Sequence, residues 1–334
     1  MKLRGIEFGP CWDGAGVRGW MDERYWYHRL PLMRDWLKME GSTLVSKTTT
    51  LPARIPPNGG NMPISPTAPW GPLERFPKSI WFGILSGRTV NSVGLSGPGA
   101  EVLLFRGLLD ARDDGKPFQI SFMSAAATPE ERLNEFQQFV RLLLQYVIVF
   151  RKFGLQINIS CPNAGIDPAH LTHQAIAMLD AATPLTNVGI PIILKLNVLV
   201  PTEAVKEMAA HPNCDALCVS NTLPFGMFPK HVAWKGIFPK GSPVRRRNET
   251  YGDGGYSGPE LLVLVANFIS RTKSVGVTIP WNAGGGIRHP RDVEYLVERA
   301  MLTPKVDSVF FASAAMVRPW NVPGIIRTAH DLLG

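Results

Sequence analysis

Gly154-Leu155-Gln156-Ile157-Asn158-Ile159-Ser160-Cys161-Pro162-Asn163 is the stretch on which the reading of this chain turns. Its apolar first half reads as a short buried strand. Pro162 stops that strand, so two asparagines and a cysteine are presented at its carboxyl end. In an α/β protein that end is where reacting groups sit. An amide donates and accepts at once, so paired asparagines suit a neutral polar ring carrying both kinds of group. A thiol adds a proton-transfer group or nucleophile. A lone cysteine is more often inert core, but the flanking Asn, Ser and Pro-Asn favour a site.

Working outward, short apolar runs alternate with helical patterns along the chain. Strands are predicted near 6–12, 43–48, 118–123, 155–160, 191–196, 215–220, 277–283 and 307–312. Helices are predicted near 28–39, 100–110, 129–152, 170–182, 201–210, 259–272, 290–301 and 322–333. The helix from 129 has the strongest start, with Thr128 as cap, Pro129 in the first turn and Glu130 and Glu131 at its positive end. Gly154 is read as its stop. Eight strands each followed by a helix predict an α/β fold, a closed (β/α)8 TIM barrel, as one domain over 1–334. A doubly wound open sheet would need fewer strands and a full glycine fingerprint, of which Gly14-Ala15-Gly16 is only a fragment. Two irregular insertions, near 51–88 and 224–256, follow predicted strands and are expected as long loops on the carboxyl face.

The 334 residues are 45% hydrophobic, enough for a full core without disulfides. Cys11, Cys161, Cys214 and Cys218 form no disulfide framework and no zinc pattern, and packing is the expected role of all but Cys161. The segment Met1-Lys2-Leu3-Arg4-Gly5-Ile6 lacks a signal-peptide core, and no stretch approaches a spanning helix. A cytoplasmic protein with no membrane partner is expected. The formal charge is +8. Its densest focus, Arg245-Arg246-Arg247, reads as a solvated loop or as a lid that draws in a carboxylate. Without interleaved aromatics, nucleic acid is not an expected partner.

Strand seven runs into Asn282-Ala283-Gly284-Gly285-Gly286-Ile287 before a helix near Pro290. Strand eight ends in Phe311-Ala312-Ser313-Ala314. Small residues that admit a close ligand, beside a helix start, make a phosphate site. Gly254-Gly255-Tyr256-Ser257-Gly258 would face the same phosphate or end a lid. Lys47 and Lys195 lie in or at the end of apolar strands, where an ammonium needs an anion or acceptor. No acidic partner is evident in neighbouring strands, and a cofactor with anionic character, such as a reduced flavin ring, is the preferred partner. Asn91, Asn221 and Thr222 add polar groups. The seven histidines are scattered, so hydrolysis by triad or metal is disfavoured and a redox cofactor suits the set better.

In this order the pieces resemble the dihydroorotate dehydrogenase family, FMN-containing (β/α)8 barrels of pyrimidine biosynthesis. The matching elements are Gly14-Ala15-Gly16, Ser46-Lys47-Thr48-Thr49-Thr50, Asn91-Ser92-Val93-Gly94-Leu95, Asn158 to Asn163, Lys195, Asn221-Thr222, Gly255-Tyr256-Ser257-Gly258 and Gly284-Gly285-Gly286-Ile287. The resemblance implies oxidation of dihydroorotate to orotate, with Cys161 as base and hydride passing to flavin. Lys47 would contact flavin and pyrimidine. Asn91, Gly94, Leu95, Asn158, Asn163, Asn221 and Thr222 would surround the pyrimidine. Gly14, Ala15, Lys47, Asn158, Lys195, Gly255, Ser257, Gly285, Gly286, Ala312 and Ser313 would hold FMN, with no metal. Cys at position 161 is similar to the cytosolic class, for which a homodimer or a separate electron-transfer subunit are partners; fumarate, NAD through that subunit, and a quinone stand as acceptors. Ala312-Ser313 departs from the family's usual Gly-Thr, and its methyl is expected to crowd the phosphate. The loop after Asn163 departs as well. The alternatives are a related flavin reductase of another pyrimidine, including tRNA uridine, and a non-catalytic relative that binds pyrimidine or flavin.

Overall fold

The computed structural model describes residues 1–68, 70–107, 115–150, 152–159 and 168–334. Eight parallel strands run in chain order around a barrel: β1 (Cys11–Asp13), β2 (Leu44–Val45), β3 (Phe118–Phe122), β4 (Phe153–Asn158), β5 (Ile192–Leu196), β6 (Ala216–Val219), β7 (Trp281–Gly284) and β8 (Ser308–Phe311). β8 pairs with β1, and the ring is completed between β1 and β2 by a parallel bridge from Trp12 to Thr43. The fold is the expected TIM barrel. Each strand is followed by a helix: α1 (Pro31–Trp36), α2 (Ala100–Val102), α3 (Pro129–Leu144), α4 (Pro168–Ala181), α5 (Thr202–Ala209), α6 (Glu260–Ser274), α7 (Pro290–Arg299) and α8 (Val322–Leu333).

Alternation along each strand separates two apolar compartments. Trp12, Val45, Ile193, Ala216, Cys218 and Phe310 form one buried cluster with Met1, Leu3 and Phe8, which come from beneath the strands. The larger cluster lies between strands and helices. Lys195 shares the face of Ile193 and Phe310 lies 5.6 Å below its ammonium, so the polar end of the interior begins there. Cys11, Cys214 and Cys218 are free and buried, as expected of packing thiols. Burial pushes the Cys218 thiol up to about 12.

Three expectations need correction. α3 starts as predicted, with Thr128 Oγ1 accepting from the Glu131 N–H and Glu131 accepting from the Thr128 N–H, but it ends at Leu144 rather than 152. Beyond it, Tyr146 and Phe150 stack at 5.8 Å, and Phe150 meets Phe118 and Phe153 edge-on at the strand starts. Gly154 is not a helix stop. It lies inside β4, where a Cβ would collide with the side-chain amide of Gln119 on β3.

The third correction concerns the insertions. They are not simply loops. Ile80–Gly83 from the first and Arg88–Asn91 at its end join Leu223–Pro224 and Gly255–Ser257, at the two ends of the second, in a four-stranded antiparallel sheet. This canopy stands over the carboxyl end of the barrel. Arg247, from the basic run, donates to the backbone oxygen of Ile80 at 2.6 Å and so ties one insertion to the other.

Candidate functional site

The strand ends and the canopy enclose a cleft of about 1180 Å³, larger than a single small ligand needs. Every expected site residue that the structure describes lines it: Gly14, Ala15, Lys47, Asn91, Gly94, Leu95, Asn158, Lys195, Asn221, Thr222, Gly255, Ser257, Gly285, Gly286, Ala312 and Ser313. Cys161 and Asn163 lie outside the described residues.

The amides meet at the floor. Asn221 Nδ2 donates to Asn158 Oδ1 at 2.9 Å, and Asn221 Oδ1 accepts from the Thr222 N–H at 3.0 Å. That wiring fixes which end of the Asn221 side chain is which. Asn197 was not foreseen; its amide donates to the Thr222 carbonyl at 2.8 Å and holds this corner from behind.

The two lysines differ. Lys47 Nζ donates to the backbone carbonyl of Ser96 and lies 4.5 Å over the ring of Trp20. Desolvation brings its pKa down to about 7, against the pull of Glu23. Lys195 is 7% exposed. Burial lowers its pKa too, opposed only by Cys218. Among the described residues no acid acts on Lys195 and no hydrogen-bond acceptor meets its ammonium, which instead faces the Phe310 ring at 5.6 Å. A buried cation facing a cleft without an acceptor is costly unless a ligand supplies one.

The glycine turns are shaped by close approach. Gly285 and Gly286 take φ of 124° and 82°, and a Cβ on Gly286 would sit 2.7 Å from the Leu262 nitrogen and 2.9 Å from the Gly258 carbonyl. The two glycine clusters therefore touch. No backbone carbonyl among the described residues accepts from Gly285, Gly286 or Ser313, which leaves N–H groups beside the cleft for an anion. The methyl of Ala312 is turned toward Gly14, where a second methyl would lie 2.6 Å away. Gly14 makes room for it. Gly255–Ser257 runs as a canopy strand, with Thr222 Oγ1 filling the space that a Gly255 Cβ would need.

Gly94 and Leu95 bend back over the cleft with φ of 68° and 59°. The left-handed conformation is unusual for leucine, and Arg54 Nε grips the Gly94 carbonyl at 3.2 Å. Asn91 forms the canopy pair with Gly255. The outer wall was missed by sequence reasoning. It is built by Tyr25, Trp26, Tyr27 and Phe76, with Trp26 and Phe76 rings 5.9 Å apart. The aromatic run Tyr25-Trp26-Tyr27-His28 was the available signal.

A buried ammonium with no acceptor among the described residues, N–H groups at a glycine turn and paired amides on one floor are the donors that the expected FMN would need. Among the described residues no group of His, Cys, Asp or Glu could hold a metal ion, and no helix is long and apolar enough to cross a membrane. No protein-family model matches the chain, and no curated protein matches it significantly.

Proposed function

We propose that the chain is an FMN-dependent oxidoreductase that oxidises dihydroorotate to orotate. The observation that carries this reading is Lys195, a buried ammonium with no acceptor among the described residues, set beside the Asn158–Asn221 amide pair in one cleft. FMN supplies the two-electron acceptor for the hydride that leaves C6 of the substrate.

The chain's own groups do the rest. Asn158 and Asn221 bind and orient the ring through its amide edges. A substrate carboxylate beside Lys47 would restore its proton and its charge. Lys195 would hold the cofactor by meeting its negative charge. The N–H groups of Gly285, Gly286 and Ser313 bind phosphate. Cys161 takes the proton from C5, for which the thiol must first ionise; its assignment rests on sequence.

Anaerobic mixing of the FMN-loaded protein with dihydroorotate tests the reading. The yellow absorbance should bleach within the mixing experiment. A protein that binds FMN and stays yellow refutes the substrate; one that does not bind FMN refutes the whole reading.

A further inference from the structure

The cleft is wider than the proposed chemistry fills, and its outer part has a composition of its own. Its volume of about 1180 Å³ exceeds that of an ordinary single-ligand pocket. Seven lysines and arginines line it, and among the described residues no aspartate or glutamate does. Lys47 and Lys195 belong to the floor. Arg75, Lys78 and Arg247 stand at the outer end, joined to the aromatic wall. Trp26 Nε1 donates to the Arg75 carbonyl at 3.2 Å, the Arg75 guanidinium lies 5.4 Å from the centre of the Trp26 ring, and Trp26 meets Phe76 edge-on. Arg247 donates to the Lys78 carbonyl at 3.3 Å. Tyr25 stacks on Tyr27 at 5.9 Å, and its hydroxyl donates to the Gly16 carbonyl at 2.6 Å, so the wall is tied to the barrel floor.

The charge in this chamber is not spent on carboxylates. Arg75 rests on an indole, and Arg247 donates to the backbone carbonyls of Lys78 and Ile80. Glu74, the acid of the same segment, accepts from the Lys78 backbone N–H at 3.1 Å and does not line the cleft. Aromatic faces take up any heteroaromatic base by stacking. Guanidinium and ammonium groups beside them bind phosphate oxygens through charge-assisted hydrogen bonds. The two together, where no described acid repels an anion, select a molecule that carries both a base and phosphate. We propose that this outer chamber is a second ligand site, for a nucleoside phosphate. The base packs against Trp26 and Phe76, and the phosphates meet Arg75, Lys78 and Arg247. None of these five residues is assigned to FMN or to the pyrimidine, so the inference stands apart from the reaction proposed for the floor.

Calorimetric titration of the full chain with ADP, in the absence and in the presence of FMN, tests it. ADP should bind in both cases, at least about tenfold more tightly than adenosine or inorganic pyrophosphate alone. Flavin fluorescence should show that bound FMN stays in place. Arg75→Glu and Trp26→Leu should each weaken ADP binding by about tenfold or more; the Arg75 side chain is exposed, so its reversal leaves the fold intact. Lys206→Glu, the same charge reversal at an exposed site on α5, should change the affinity by less than about twofold. NAD in place of ADP identifies the source of the nucleotide: tighter binding marks a dinucleotide, equal or weaker binding a free nucleotide. Failure of both to bind, release of FMN by ADP, an affinity untouched by Arg75→Glu, or an equal loss in Lys206→Glu would each overturn the inference. A chain that binds ADP but not FMN would refute the proposed function and leave this site standing.

Discussion

Gly14 and Ala312 face each other across the seam where β1 meets β8, so closely that a Cβ on Gly14 would lie 2.6 Å from that of Ala312, while the Gly14 N–H donates to the Phe311 carbonyl at 2.6 Å. The pair has room for one methyl. Gly14→Ala should therefore destabilise the protein by about 1–3 kcal/mol through overpacking. Ala312→Gly in the same chain should recover most of that loss, because the remaining neighbours of a Gly14 methyl lie at 3.3 Å and beyond. Denaturant melts of the two single variants and the double variant read the coupling; additive losses would refute the pairing.

Lys195→Met removes a buried charge and keeps the bulk. The ligand-free protein should gain about 1–3 kcal/mol, since the cost of an unpaired buried ammonium disappears. FMN should bind about tenfold or more weakly. Thermal melts and a flavin-fluorescence titration separate the two effects. Unchanged FMN affinity would detach Lys195 from the cofactor.

Lys47 predicts a pH dependence with a definite sign. Its folded pKa is lowered from 10.5 to about 7. Between those values the unfolded chain holds more protons than the folded one, so the stability of the ligand-free protein rises with pH across that window, and the burial penalty is fully present below it. A bound carboxylate raises the pKa again. Above pH 7 binding must then take up a proton, and orotate affinity should fall toward about tenfold per pH unit from roughly pH 7.5 to 9. Lys47→Arg keeps the charge and should flatten the slope. A slope of the same steepness in Lys47→Arg would assign the proton elsewhere.

Cys161→Ala should retain bound flavin and lose most flavin reduction by dihydroorotate, by about a hundredfold or more. Rapid-mixing spectroscopy under argon reads the rate. Near-normal reduction in the variant would remove Cys161 from the role of base.

The barrel was legible because its strands are short apolar runs buried on both faces, a pattern that survives without knowledge of their neighbours. Ile192-Ile193-Leu194-Lys195-Leu196 is fully buried along its length, and its one lysine stands out for that reason. The canopy strands were not legible. Ile80–Gly83 is half-buried throughout and sits among prolines and glycines, so neither alternation nor a continuous apolar run marks it. The end of α3 was misread because Tyr146 and Phe150 continue the apolar pattern while serving the strand starts instead. Within the cleft, polar residues at strand ends could be found from their positions. Their partners could not: the acceptor of Lys47 is a backbone carbonyl 49 residues away, and no side-chain chemistry announces it.

The canopy pairs Asn91 with Gly255, segments separated by about half the chain. Neither insertion is therefore an independent module. A graft that swaps the first for another sequence strips the second of its hydrogen-bonded edge, so engineering a new specificity here requires transplanting both together. During synthesis the entrance acquires its shape only after the ribosome has delivered the sixth strand and the canopy segments Leu223–Pro224 and Gly255–Ser257. Ligand capture is thereby placed among the last events of maturation.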